Sequence, residues 1–340
     1  MPDPKSSGVK NPDDNDLAVS GALPQDPQDG TRIVDDGPRL VTVRDMLRAS
    51  YKNAITPRQQ RACTTGHRIL DRVTGGMRPA MTWVVMAETS FGKSSWTISA
   101  VDENLRHGAP VLIVSVEDPP ELYGNRLLAR RGKITATHIR DGKLTRDEER
   151  MAAEVSRKAE PLPVYLDAID RSVEWVLKQV PEIVHEYKIR MVVVDYLQEL
   201  YSDGRYQDQR VMYKWIARRL RACFKRLRVA GVIVSQITTK DGARPTKNDV
   251  RECRDVVHGT EHVVIGYEPE KPMETKTAGI IEAGTKCFIV DKNKDGPKGV
   301  VRLNWDERTA SFYDEPDPQY EGMKDLGDRM QTDSFEDLFD

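Results

Sequence analysis

Residues Met81–Ser95, MTWVVMAETSFGKSS, constrain this chain more than any other stretch. The apolar run Trp83–Met86 reads as a buried strand, the residues after it as a short loop, and those from Ser95 onward as a helix. Strand, loop and helix in that order make a phosphate cradle. Backbone N–H groups at a helix N-terminus point at an anion, and the helix dipole favours its charge. Lys93 would reach the β- and γ-phosphates and the Ser94 hydroxyl would ligate Mg²⁺. Ala87, Glu88, Thr89, Ser90, Phe91, Gly92 and Ser95 complete the loop around them. The general pattern has Gly at the first loop position, where this chain has Ala87. Gly-Lys-Ser alone is common by chance; the strand before it and the helix after it carry the nucleotide reading. The expected cofactors are ATP and Mg²⁺.

The rest of the pattern agrees with an α/β chain. VLIVSV (111–116) and MVVVD (191–195) are buried runs, VIVSQ (232–236) is another, and helical patterns at 121–131, 145–159, 173–187 and 208–229 lie between and around them. Strands alternating with helices argue for a mostly parallel sheet covered on both faces. Past residue 260 strands follow one another with only turns between, which predicts antiparallel hairpins at the sheet edge. Residues 1–37 are rich in Pro, Asp, Gly and Ser and too poor in apolar side chains to bury a core, so disorder is expected there. An amphipathic helix follows within 38–64, with Val41, Met46, Leu47 and Tyr51 on one face. It must pack on its own body or on a neighbouring copy, and the tether after it favours the copy. The segment 65–313 reads as one domain and 314–340 as a disordered acidic tail.

Charge is uneven. Residues 1–37 carry 8 acids and 3 bases, 314–340 carry 10 and 2, and the stretch between carries 47 bases against 36 acids. A basic body with acidic ends suits a polyanion partner. The four cysteines form no CxxC pair, so neither a zinc site nor a disulfide framework is indicated. With no secretory h-region and no apolar stretch long enough to span a bilayer, the expected location is the cytoplasm, off the membrane.

In open α/β sheets ligands sit at the carboxyl ends of the strands. Three polar residues end apolar runs there. Asp195 after MVVV can hold the Mg²⁺-bound water beside Ser94. Glu117 after VLIVSV, on a strand taken to lie next to the phosphate loop, can orient and deprotonate an attacking water. Gln236 after VIVS can contact the γ-phosphate and report its presence.

These pieces resemble one family. GMRPAMTWVVMAETSFGKSS, IVSVEDPPELYGNRLLAR, MVVVDYLQEL, VIVSQ, RPTKNDVRE and VDKNKDGPKG, in this order, look like the ATPase domain of DnaB-type replicative DNA helicases. The specific parts are DYLQ (Asp195–Gln198) and KNKDGPKG (Lys292–Gly299). The resemblance implies a RecA-like P-loop NTPase core, a ring hexamer with ATP between subunits, and 5′→3′ translocation on single-stranded DNA. It also tolerates Ala at the first loop position. It gives Arg126 a place at the nucleotide and Lys292 and Lys294 the role of the pair that reaches a neighbour's γ-phosphate. Arg251 and Glu252 match the RE pair of a DNA-contacting loop. Two residues depart from the pattern: Lys294 stands where the family usually has Arg, and Cys253-Arg254 follow where small residues are usual.

The basic loop after Gln236 holds Lys240, Arg244, Lys247, Arg251 and Arg254 with Gly242 and Pro245 but no aromatic. Backbone contact to DNA without base stacking is therefore expected; the loop 202–209 could line the same pore. The helix 40–54 looks like the family's linker helix, and 1–37 takes the place of a primase-binding collar, a layout like that of phage- or plasmid-encoded helicases. Phe335, Leu338 and Phe339 among acids make the tail a candidate dock for a primase, a helicase loader, a polymerase or a single-strand-binding protein. Two alternatives remain open at this point, a RecA- or KaiC-like recombinase or DNA-binding ATPase and a non-motor, loader-type ATPase.

Overall fold

The computed structural model describes residues 42–56, 62–159, 165–168, 172–238, 244–249 and 255–314. Outside them lie Lys240, Arg251, Glu252 and Arg254, the segment 1–37, and the tail beyond Asp314. In chain order the elements are α1 (Val43–Ile55), α2 (Arg68–Thr74), β1 (Thr82–Ala87), α3 (Lys93–Arg106), β2 (Val111–Ser115), α4 (Pro120–Gly132), α5 (Ala136–Asp141), α6 (Arg146–Arg157), β3 (Tyr165–Asp167), α7 (Val173–Tyr187) and β4 (Met191–Asp195). There follow α8 (Gln209–Leu227), β5 (Ala230–Gln236), α9 (Asp255–His258), β6 (His262–Tyr267), β7 (Met273–Thr275), β8 (Gly279–Ile281), β9 (Cys287–Asn293), β10 (Gly299–Arg302), β11 (Asn304–Asp306) and β12 (Ser311–Tyr313).

Eight strands make one sheet in the order β10-β9-β6-β1-β5-β4-β2-β3. From β6 to β3 every pairing is parallel; β9 is antiparallel to both β6 and β10. The hairpin expected at the C-terminal edge is thus β9–β10. The first strand past residue 260, β6, belongs to the parallel set. The last two strands leave the sheet: β11 and β12 form a separate ribbon.

The apolar runs are buried on both sides because helices cover both faces. Trp83, Val85 and Ala87 of β1 point to one face, where Leu70 of α2, Trp96 of α3 and Phe312 of β12 pack. Val84 and Met86 point to the other, under Val176 and Val180 of α7 and Ile216, Leu220 and Phe224 of α8. Phe224 lies so close over β5 that a Cβ at Gly231 would overlap its ring.

Helix α1 starts with Thr42 accepting a hydrogen bond from the Asp45 N–H at 3.1 Å. Its apolar residues Val43, Met46, Leu47, Tyr51 and Ile55 are exposed. Packing on its own body, the first of the two expectations, is therefore not what these side chains do. Helix α6 opens on a capping box in which Thr145 and Glu148 satisfy each other's backbone N–H groups.

Gly231→Ala should push Phe224 off β5 and lower stability by about 1–3 kcal/mol. A lower urea midpoint with an unchanged slope checks this; an unchanged midpoint would show that the α8–β5 contact gives way freely.

Candidate functional site

Four parallel strands end at one edge of the sheet, and register sets what lies there. Ala87 pairs with Gln236, and Ser115 with Asp195. Along that edge the order is Ala87, Gln236, Asp195, then Glu117 two residues beyond Ser115. Gln236 stands on the immediate neighbour of the phosphate-loop strand. Glu117 does not: two strands, β5 and β4, separate β2 from β1. The expectation that its strand adjoins the phosphate loop is corrected by the crossover order. Glu117 is exposed at the strand end, and its charge is still felt by Lys93.

The loop Glu88–Gly92 leads into α3, which begins at Lys93, two residues earlier than its pattern suggested. Gly92 has φ 113° and a Cβ there would come within 3.2 Å of the Phe312 ring. Only glycine takes that backbone without strain. Phe91 is the anchor beneath the loop. Its ring lies 5.6 Å from Phe312 and 5.4 Å from Phe288, and a Cβ on Gly266 would overlap it. Lys286 donates to the Phe91 carbonyl at 2.6 Å. An aromatic platform thus sets the loop's height above the sheet.

The ammonium of Lys93 donates to the Ala87 and Glu88 carbonyls at 3.3 and 3.1 Å. Burial pulls its pKa below the ordinary lysine range, and the carboxylates of Asp195 and Glu117 pull the other way. It is a cation held inside its own loop, where a phosphate would replace the carbonyls. Asp195 is buried, and burial raises its pKa. The Tyr123 hydroxyl of α4 donates to its Oδ2 at 2.8 Å and works against that rise. Arg126, one turn along α4, donates to Asp118 Oδ2 at 3.1 Å and lies over the Tyr123 ring.

The donor set suits Mg²⁺. A hydroxyl at Ser94 and a carboxylate at Asp195 are hard oxygen ligands, and Mg²⁺ favours one or two such groups with phosphate oxygens and waters. No three His, Cys, Asp or Glu side chains cluster as a self-sufficient metal site among the described residues. An ion here would be held jointly with a nucleotide.

Sequence reasoning assigned no role to two residues at this edge. Tyr123 gives no sequence signal, because it is one apolar position of a helix. Gln198 lies within the DYLQ segment. Its amide donates to Ser235 Oγ at 2.8 Å and to the Gln236 carbonyl at 3.2 Å, and its carbonyl accepts from the Gln236 N–H at 3.2 Å. Gln198 therefore fixes the end of β5 and with it the start of the Gln236 side chain.

The other half of the expected site is elsewhere. Val263 pairs with Lys292 and His262 with Asn293, while Trp83 pairs with His262. Lys292 and Lys294 thus lie at the opposite edge of the sheet, roughly 13 Å or more from the phosphate loop along the strands. Neither can reach the nucleotide of its own subunit. Lys292 donates to the Val257 and His258 carbonyls at 3.1 Å each and so caps the end of α9. Lys294 is exposed, with Glu261 at 3.9 Å.

Of the basic loop, Arg244 and Lys247 are described. Arg244 is exposed, and the Lys247 N–H donates to Asp291 at 2.7 Å, tying the loop to β9. The loop 202–208 is anchored by Ser202 on Glu174 and on the Tyr206 hydroxyl.

A parallel sheet of this order, with a phosphate loop after β1 and a carboxylate ending β4, defines a RecA-like P-loop ATPase domain. The chain belongs to the family described as the DnaB-like helicase C-terminal domain, which matches residues 62–314. It is 25% identical over 306 residues to the replicative DNA helicase DnaB of Buchnera aphidicola subsp. Schizaphis graminum, covering 87% of this chain and 63% of that one. It is 26% identical over 273 residues to the replicative DNA helicase DnaC of Bacillus subtilis, covering 77% of this chain and 59% of the relative. The chain thus spans less than two thirds of the length of these relatives. Its fold is that of the solved ATPase domain of a phage helicase, with TM-score 0.69, 20% identity and coverage of 81% of this chain and 99% of the other. A DnaB-like replicative helicase characterised together with its interactions with primase aligns with TM-score 0.68 and 20% identity over 82% of this chain and 68% of its own. Among the described residues no helix is long and apolar enough to cross a membrane.

Tyr123→Phe removes a charge-assisted hydrogen bond worth about 1.5–3 kcal/mol to a buried carboxylate. If Asp195 holds the metal, the Mg²⁺ concentration for half-maximal ATP turnover should rise several-fold while ATP-free melting changes little. An unchanged Mg²⁺ requirement would detach Tyr123 from the metal site.

Proposed function

We propose that this chain is an ATP-dependent 5′→3′ replicative DNA helicase that moves on single-stranded DNA as a homo-hexameric ring in the cytoplasm. Lys93 and the backbone of Ala87–Ser95 bind the phosphates of ATP, with Arg126 beside the nucleotide. Ser94 and Asp195 hold Mg²⁺ with them. Glu117 positions and deprotonates the attacking water, and Gln236 senses the γ-phosphate. Lys294 of one subunit reaches the γ-phosphate of the next. Lys240, Arg244, Lys247, Arg251, Glu252 and Arg254 line the DNA path.

The observation that carries this reading is the division of the site between two edges. Catalytic carboxylates and phosphate loop share one edge, and Lys294 sits at the other. Such a finger can act only on a neighbour, which requires a head-to-tail ring or filament. The exposed apolar face of α1 supplies a further surface for a neighbouring copy. A primase, a loader, a polymerase or a single-strand-binding protein would then dock through the acidic tail.

Lys292 enters this scheme differently from the resemblance alone. Its ammonium caps α9 within its own subunit, so it ties the exit of the DNA loop to the strand that carries Lys294.

Unwinding of forked duplexes tests the reading. With Mg-ATP, substrates carrying a 5′ tail on the tracked strand should open, and those with only a 3′ tail should not. Lys93→Ala should abolish opening. Filaments with strand exchange would support a recombinase instead, and turnover without opening a non-motor ATPase.

The finger gives a second prediction. Lys294→Ala should lower DNA-stimulated turnover by about 10³-fold, the usual effect of losing a trans cation at the γ-phosphate. Lys294→Arg should retain turnover, since its planar fork adds donors without removing charge. Equal loss in both variants would mean that Lys294 is not a phosphate ligand.

A further inference from the structure

We infer that Arg78, His262, Asn293 and Asp295 form a clamp that sets the position of Lys294, and so act as positioning residues for catalysis in the neighbouring subunit. The inference rests on the trans role of Lys294 proposed above. That lysine cannot place itself. Its side chain is 66% exposed, and its four-carbon stem is flexible. Whatever accuracy it has must come from the backbone beneath it.

That backbone is held from several sides. The turn runs from Asn293 to Lys298 between β9 and β10. Asp295 pairs with Arg78, which lies in the segment entering β1. The same carboxylate oxygen is 3.4 Å from Nε2 of His262. His262 is fully buried and stacks on Trp83, with ring centroids 4.5 Å apart and planes 18° from parallel. Asn293 donates to the Val73 carbonyl at 3.0 Å and to the Pro297 carbonyl at 2.9 Å, and accepts from the Asp295 N–H at 3.1 Å. The Lys294 N–H donates to the Glu261 carbonyl at 3.2 Å. The Glu261 side chain in turn accepts from the Thr82 N–H at 2.9 Å. A Cβ on Gly296 would stand 3.1 Å from both Asn293 Nδ2 and the Val73 carbonyl.

A solvent-facing turn that only reverses the chain needs none of this. Burying an imidazole whose ring nitrogens make no well-formed hydrogen bond is costly. The gain is a single geometry for the turn, referred to Trp83 and Thr82 at the start of β1. The other end of that strand carries the subunit's own phosphate loop. One rigid strand thus holds the loop for its own ATP at one end and the base of the finger for a neighbour's ATP at the other. Outer contacts that lock the groups touching substrate are the usual means of holding a site to within a fraction of an ångström.

The test uses the full chain and its single-stranded-DNA-stimulated ATP turnover. Asp295→Asn keeps the shape and removes the charge that holds Arg78. Turnover should fall about 10- to 100-fold, as expected when a reacting group is displaced by about 1 Å, with the KM for ATP changed by less than about twofold. Arg78→Met should do the same. Mixing then separates a finger defect from a general one. Asp295→Asn subunits keep an intact nucleotide site, and Lys93→Ala subunits keep an intact finger. A 1:1 mixture joins the two at about one quarter of the interfaces of a head-to-tail ring, so turnover should reappear from two inactive proteins.

Lys294→Ala mixed with Lys93→Ala is the control. If the control regains turnover and the Asp295→Asn mixture does not, the clamp is not a positioning device and the trans reading stands. Full turnover by Asp295→Asn alone overturns the clamp as well. If the control itself stays inactive, the trans reading falls and takes the clamp with it. Should Asp295→Asn fail to fold, Gly296→Ala carries the same test, because it displaces Asn293 from Val73 without removing a charge. Loss with rescue in the mixture supports the clamp, and wild-type turnover or loss without rescue overturns it.

Discussion

The parallel register of β1, β5, β4 and β2 is the constraint on which the rest of the molecule depends. Parallel strands bring all their carboxyl ends to one edge, so the polar residue closing each apolar run is delivered to a shared crevice. Ala87, Gln236 and Asp195 arrive there without any contact among their side chains being required. The antiparallel strand β9 reverses this logic. By running the other way beside β6 it carries its own terminal residues, Lys292 to Lys294, to the far edge. A single reversal in strand direction therefore divides the candidate chemistry between two edges, and the proposal of a ring follows from that division.

Packing beneath the phosphate loop shows why the C-terminal ribbon belongs to the domain. Phe312 of β12 supports Phe91 and Gly92 from below, although more than 200 residues of sequence separate them. Arg130 of α4 donates to the Phe312 carbonyl at 2.6 Å and also to Asp102 of α3 at 3.1 Å. Asp102 is buried and receives Arg106 and Arg131 as well. A buried carboxylate persists only when its charge is met by partners of good geometry. Here three arginines meet it and fasten α3, which begins at Lys93, to α4, which carries Tyr123 and Arg126. The loop is thus held from below by aromatics and from the side by charge.

How much of this was legible follows from what each signal depends on. MTWVVMAETSFGKSS, VLIVSV and MVVVD were legible because each combines local hydrophobicity with a polar stop, and register then aligns the stops. The order of strands was not, since crossovers skip neighbours without leaving a mark in local sequence; Glu117 was placed one strand from the loop and lies three away. The separation of β11–β12 from the sheet was hidden in the same way, because Phe312 reads as an ordinary strand residue. Tyr123 and Gln198 escaped assignment because their partners are distant in sequence. Lys292 was recognised from its motif, but its contact with the end of α9 depends on where the chain returns after the basic loop.

Lysine in place of arginine at position 294 changes what the surrounding structure must supply. An arginine finger brings a planar fork whose geometry helps select its own orientation at a phosphate. A lysine brings one compact charge and no such selection. The loss of directional control at the tip can be offset only by greater control at the base, where the turn is tied to Val73, Glu261, Arg78 and His262. The Arg78–Asp295 pair has no role in a turn whose tip orients itself. In a turn that presents a point charge, it fixes the one variable that still matters, the distance of that charge from the neighbour's phosphate.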